Sequence, residues 1–336
     1  MCPGATSDIV CSAVRAVVCR ELGPLENVVI EQRSAPVPGP GQVVVDVKAM
    51  GVNYVDGLMC QGRYQMKPHT PYVPGGELAG VVSAVGANVS RVGVGARVMA
   101  MNGFGAFAEQ VAVDGASVEP IPADLGFGQA AAFIQSYSTA WFTMTRRTTV
   151  KEGEWVLVLG AGGGIGLAAV DVGVALGAKV IAAASSAQKL DAALSMGATA
   201  TIAYEDEDLK TRAREISGGG VDVVIDSVGG RHSQPALRAT RRFGRFCVIG
   251  FASGPIASVP LNQVLLNNRT VVGVDWGAWA IGDLAGNREL LDELVALVES
   301  GRLHPTVPIE RPLSDAAAVM TGLLDRSLAG KVVLVP

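Results

Sequence analysis

The sequence has no CxxC pair. Its five cysteines (Cys2, Cys11, Cys19, Cys60 and Cys247) are odd in number and scattered, which argues against a zinc knuckle or a disulfide framework. Free thiols in a reducing compartment are the expectation. Histidine is scarce as well, and His69, His232 and His304 do not cluster in sequence as metal ligands would. Charged residues are 17% of the chain, below the usual share. With a formal net charge of −4 and no long basic run, nucleic acid is not expected as a main partner. The first residues, "MCPGATSDIVCSAVRAVV", lack a basic stretch followed by a long apolar core, so no secretory signal is expected and the location reads as cytoplasmic. Residues 1–12 read as a flexible extension.

Long apolar runs are missing too, although "WVLVLGAGGGIGLAA" (155–169) resembles the start of one. A spanning helix needs about 20 mainly apolar residues and rarely tolerates charge. This run meets Asp171 and then Lys179, and five of the seven residues from Gly160 to Gly166 are glycine. The pattern fits a strand "WVLVLG", a glycine turn, a helix "IGLAAVDVGVALGA" and a second strand "KVIAAAS". That is a βαβ unit, and no membrane span is expected.

Glycine itself is plentiful: 42 of 336 residues, against about 7% in average proteins. Ala161-Gly162-Gly163-Gly164-Ile165-Gly166 follows a strand and opens a helix, the context of a dinucleotide fingerprint. Small residues there let backbone N–H groups approach a pyrophosphate, and the helix N-terminus adds partial positive charge. Folds selective for NAD place an acid about 20 residues further on, to accept from the ribose 2′-hydroxyl. Here that neighbourhood holds Ser185, Ser186 and Lys189, with no carboxylate before Asp191. Hydroxyls and an ammonium suit a 2′-phosphate, which predicts NADPH as cofactor. "VDVVIDSVGG" (221–230), "GRFCVIGFASG" (244–254) and "TVVGVDWG" (270–277) extend the strand pattern, so residues 137–280 read as a doubly wound Rossmann domain.

Residues 13–136 differ. Short valine-rich segments such as "QVVVDVKAMGVN" and "AGVVSAVG" alternate with proline and glycine over most of this stretch, an all-β pattern that predicts a partly open barrel. Residues 281–336 return to that domain, beginning with an amphipathic helix "NRELLDELVALVESGRL" and ending with the strand "GKVVLVP". The fold class is therefore α/β, a partly open β-barrel domain plus a Rossmann domain. The linked order of "VPGGELAGVV", "GAGGGIGLAAV", "GRFCVIGFASG" and "GKVVLVP" resembles the medium-chain dehydrogenase/reductase superfamily over residues 15–336. The resemblance is to its zinc-free quinone oxidoreductase-like branch, whose β-domain is GroES-like.

Where zinc-dependent relatives carry Cys, His and Cys, this sequence aligns Asn53, Gly76 and Gln135, a set unsuited to zinc, and no metal is expected. Substrates that are already electron-poor, quinones or conjugated enones, then remain open to hydride transfer by proximity and orientation. The resemblance implies that Asn53, Asp56 and Tyr64 surround the nicotinamide and substrate, with Tyr64 either a proton donor or a binding residue and Tyr54 the second choice. It further implies Ser185, Lys189 and Tyr204 around the adenosine 2′-phosphate, and Thr139, Phe251, Ser253 and Arg326 near the rest of the dinucleotide. Trp276 and Trp279 either line the substrate cleft or cover a dimer interface, since relatives often pair as homodimers through the last strand of this sheet. Two other functions stay open: an enoyl-thioester reductase, and a non-catalytic NADPH-binding protein or redox sensor.

Overall fold

The computed structural model describes residues 13–336, so the expected extension over 1–12 lies outside the described residues. The chain forms two compact units. The first takes in the described residues up to Ile121, with Arg311–Thr321 and Leu334–Pro336; the second takes in Pro122–Glu310 and Gly322–Val333.

In the first unit the strands are β1 (Ala13–Cys19), β2 (Val28–Ser34), β3 (Gln42–Val52), β4 (Glu77–Val85), β5 (Arg97–Met101), β6 (Gln110–Asp114) and β7 (Val118–Pro120). β1 and β2 form an antiparallel pair of their own. β3 pairs antiparallel with both β4 and β6. Its register against β4 shifts twice, between Val44 and Val45 and between Val47 and Ala49. Such bulges bend and twist a strand. The bend brings Asp46 O so close that a Cβ on Gly80 would lie 2.2 Å from it, so only glycine fits there. The helix Tyr54–Cys60 follows β3 directly.

The second unit is built on six parallel strands: β8 (Trp155–Leu159), β9 (Lys179–Ala184), β10 (Ala200–Ala203), β11 (Val221–Asp226), β12 (Thr240–Val248) and β13 (Thr270–Gly273). Their order, β10-β9-β8-β11-β12-β13, reverses direction between β8 and β11. Strands buried on both faces read as unbroken apolar runs, and Leu157, Leu159, Ile181, Ile202, Val224 and Phe246 form the centre of this core. The last strands, β14 (Ile309–Pro312) and β15 (Val332–Val335), extend the β3 sheet in the order β14-β15-β3-β4-β5-β7, which has two ends and forms no closed barrel.

The sequence signals placed a junction after residue 136, whereas the compact units divide at Ile121 and Pro122. The helix Leu284–Glu299 belongs to the second unit, not to the returning segment. Its buried Leu290, Leu291, Leu294, Leu297 and Val298 form one apolar face at helical spacing. The Trp141 indole donates to Glu293 on this helix at 2.6 Å. Trp276 is buried with its indole donating to Asn287 at 3.1 Å, and Trp279 stacks on Phe142 with ring centroids 4.6 Å apart. Trp276 thus packs inside its own unit, while the half-buried Trp279 rests on Phe142 of the same unit. Among the described residues no helix is long and apolar enough to cross a membrane.

Candidate functional site

The order reversal between β8 and β11 opens a crevice at the carboxyl ends of those strands, where doubly wound sheets bind ligands. β8 runs into Gly160 (φ +68), and the helix Gly164–Ala175 starts four residues later. The glycines have different work. A Cβ on Gly166 would sit 2.1 Å from Gly160 O, so this glycine lets the helix close onto the strand end. A Cβ on Gly162 would sit 2.3 Å from the Lys189 Cβ. Gly163 is exposed, and its nearest neighbour would be Gly160 O at 3.5 Å. It is the N-cap, extended at φ −94 and ψ 173, and no side chain caps the helix there or adds an acid to its first turn. The first turn of a helix presents N–H groups without intrahelical partners. An open glycine over such a terminus fits a pyrophosphate. Ala161 is buried and its N–H donates to Ala183 O at 3.1 Å, while Ile165 is half-buried.

Residues from three separate stretches of the sequence meet beyond the end of β9. The Lys189 ammonium donates to Arg326 O at 3.1 Å and approaches Ser185 Oγ at 3.5 Å. The Tyr204 phenol lies beside the Ser185 side chain. Burial and, after it, the Arg326 charge pull the Lys189 ammonium below its ordinary value, while burial pushes the Tyr204 phenol up. Arg326 is exposed and holds its turn at φ +63. Two cations that raise each other's energy, beside a serine and a phenol, are matched by a phosphate dianion.

On the β11 side, Asp226 Oδ1 accepts the N–H groups of Val228 and Gly229 at 2.9 and 2.8 Å, and its Oδ2 accepts from Ser233 Oγ at 2.6 Å. This buried carboxylate fixes the "DSVGG" turn. Gly229 lies under Phe251, and a Cβ on Gly230 would lie 2.3 Å from Ser253 Oγ. Ser253 Oγ is buried without a hydrogen-bond partner among the described residues, and such an atom suits a ligand that supplies one. Thr139 is buried and donates to Gln135 O at 2.7 Å, so its hydroxyl proton serves its own helix. Three further residues border the candidates named from the sequence. Ser136 Oγ and the Lys331 Cδ would each lie 3.2 Å from a Cβ on Gly164, and Arg231 forms an ion pair with Glu205 beside Tyr204. The Lys331 signal was present in "GKVVLVP", read above only as a strand.

The other candidates lie in the first unit, on the helix Tyr54–Cys60 and the loop after it. Asn53 and Asp56 are buried. The Asn53 amide donates to Glu77 Oε1 at 3.0 Å, and the Asn53 backbone N–H donates to Asp56 Oδ2 at 2.7 Å. Asp56 therefore acts as the N3 residue of a capping pair, which holds Asn53 in place. Tyr54 and Tyr64 are half-buried. Gly76 offers no side chain to a metal, and among the described residues no group of three or more His, Cys, Asp or Glu side chains is placed to hold one.

Comparison with known proteins matches both halves. The family described as Alcohol dehydrogenase GroES-like domain covers residues 39–123, and Zinc-binding dehydrogenase covers residues 164–296. The Quinone oxidoreductase-like protein 2 of Rattus norvegicus is 38% identical over 95% of this chain and 91% of its own length. A probable oxidoreductase from Mycobacterium abscessus superposes with a TM-score of 0.88 at 37% identity, covering 97% of this chain and all of that one. The Escherichia coli quinone oxidoreductase complexed with NADPH gives a TM-score of 0.87 at 30% identity, covering 96% of this chain and all of that one.

Proposed function

Because this chain belongs to the quinone oxidoreductase branch of the medium-chain dehydrogenase/reductase superfamily, we propose that it is an NADPH-dependent reductase of quinones or other electron-poor enones that works without zinc. The meeting of Ser185, Lys189, Tyr204 and Arg326 carries the cofactor assignment. It offers two cations and two hydroxyls to a 2′-phosphate, the group that separates NADPH from NADH. The loop 160–166 holds the pyrophosphate on backbone N–H groups, with Ser253 Oγ, Phe251 and Thr139 along the rest of the dinucleotide. When bound, NADPH supplies the hydride.

The chain's own residues position the acceptor and stabilise its developing charge, and the reduced acceptor takes its proton from solvent. Asn53, fixed through Asp56 and Glu77, donates its amide to an oxygen of cofactor or substrate. Tyr64 binds the acceptor through its phenol. A quinone is electron-poor enough to accept a hydride without a Lewis acid, so oriented donors suffice to stabilise the oxygen charge that develops. The aligned set Asn53, Gly76 and Gln135 has one position with no side chain and two amides, and zinc needs thiolate, imidazole or carboxylate. The protein also forms a homodimer through β13, which ends its sheet and leaves Val271 at its edge with Leu265 and Leu266 exposed nearby.

The test is Lys189→Ala. Losing a charge-assisted hydrogen bond weakens NADPH binding by roughly 10- to 100-fold, with NADH changed little. An equal loss for both nucleotides removes Lys189 from a phosphate site.

A further inference from the structure

The absence of an acid after β9 is the sequence clue to NADPH, yet the fold brings an acid to the same place from the next strand. Glu205 follows Tyr204 directly, at the end of β10. One of its oxygens is held by the Arg231 guanidinium, and the other lies 3.9 Å from His232 Nε2. The His232 ring is tilted against the Tyr204 ring, with centroids 4.1 Å apart. Tyr204 in turn lies beside Ser185, which neighbours Lys189. Glu205, Arg231, His232 and Tyr204 are therefore one cluster, continuous with the residues assigned to the 2′-phosphate.

Both partners of the Glu205–Arg231 pair are well exposed, with 39% and 70% of their side chains open to solvent. Exposed pairs contribute little to stability, so the pair's consequence is electrostatic. A bare carboxylate beside Tyr204 would oppose a phosphate and favour a ribose hydroxyl, as the acid of NAD-selective folds does. Arg231 first, then His232 and Arg326, hold the Glu205 carboxyl below its ordinary range, so it stays ionised and must be masked. We propose that Arg231 is a specificity-determining residue for the dinucleotide: its ion pair with Glu205 masks a carboxylate that would otherwise reject the 2′-phosphate. The inference rests on the NADPH reading above and adds to it the device that makes that reading compatible with an acid at the site.

The experiment titrates NADPH and NADH by fluorescence against the full chain and four variants: Arg231→Ala, Glu205→Gln, the double variant, and Lys189→Ala. Arg231→Ala is expected to weaken NADPH binding about tenfold, through an unmasked like charge, and to change NADH binding less than about twofold. Its melting temperature stays that of the parent, because the pair is exposed. Glu205→Gln alone leaves NADPH affinity nearly unchanged. The double variant regains most of what Arg231→Ala lost, which direct contact between Arg231 and the phosphate would not allow. A double variant no better than Arg231→Ala overturns the masking role, as does an Arg231→Ala loss that is absent or equal for both nucleotides. Lys189→Ala separates the two levels. A loss selective for NADPH keeps the nucleotide reading even where the Arg231 variants overturn the masking role, whereas an equal loss for both nucleotides removes the phosphate site and both readings fall together.

Discussion

Gly163 and Gly166 stand three residues apart in one loop and are required for different reasons. Gly166 is fixed by the protein itself, since its Cβ would lie 2.1 Å from a backbone oxygen that cannot move aside. Gly166→Ala is expected to destabilise the fold by about 1–3 kcal/mol, as overpacking does, with a lowered melting temperature. Gly163→Ala meets nothing closer than 3.5 Å at an ordinary φ. Its melting temperature without nucleotide should match the parent's, while its methyl occupies the approach of a pyrophosphate and NADPH affinity falls. If Gly163→Ala binds NADPH normally, the phosphates do not lie over this terminus. At Tyr64 the acceptor assignment makes a similarly divided prediction. Tyr64→Phe should raise KM for a 1,4-quinone several-fold and leave kcat within about threefold, whereas a proton donor would lose roughly 10²–10⁴ in kcat. The larger loss would turn the assignment toward enoyl thioesters, with Tyr64 as the donor.

Among the elements, the helices Ile134–Phe142 and Gly164–Ala175 are tied together by a buried acid. The Tyr137 hydroxyl and the His304 backbone N–H both donate to Asp171 Oδ2 at 2.7 Å. Burial, the largest cause, raises the Asp171 carboxyl above its ordinary 3.8, against the opposing hydrogen bonds. A raised value means that the folded state holds this proton more tightly than the unfolded chain does. Its stabilising contribution is complete below the unfolded value and is lost as pH rises through the folded one. Asp171→Asn keeps a carbonyl acceptor and removes the charge. Its melting temperature should no longer fall as pH rises from about 4 through this window. Asp171→Ala leaves the Tyr137 hydroxyl buried without an acceptor, a cost of about 1–3 kcal/mol. A melting profile for Asp171→Asn that falls with pH as the parent's does would assign that dependence to other groups. The same residue shows how far a sequence can be read. In the sequence Asp171 only interrupted an apolar run, and its partners Tyr137 and His304 stand 34 and 133 residues away.

At the scale of the whole molecule, the local signals were legible and the convergent ones were not. The βαβ unit and the doubly wound domain were read from apolar period and glycine placement, which act within a few residues, whereas the strand order's switch point came only with the fold. Ser185 and Lys189 were visible because they lie where β9 ends. Tyr204 and Arg326 came only through family resemblance, and Arg231 lay outside both readings because nothing near it in sequence marks a phosphate. The edge strand β13 and the exposed Leu265 and Leu266 that extend its surface are, by contrast, close in sequence. For the homodimer proposed through that edge, Val271→Asp should halve the mass seen by light scattering, since edge charge blocks strand pairing. NADPH affinity should not change, because the residues assigned to the nucleotide lie within one chain. A variant that keeps the parent mass would place the interface elsewhere or leave the protein a monomer.

The central claim is that the chain passes a hydride from NADPH to an electron-poor acceptor without metal. Its most direct test follows NADPH oxidation by absorbance in chelator-washed protein, with a 1,4-quinone and a 2-enoyl-CoA supplied side by side. The account predicts turnover with the quinone, much faster with NADPH than with NADH, in protein free of stoichiometric zinc. Preference for the enoyl thioester, activity that returns only with zinc, or NADPH binding without oxidation by either acceptor would contradict it.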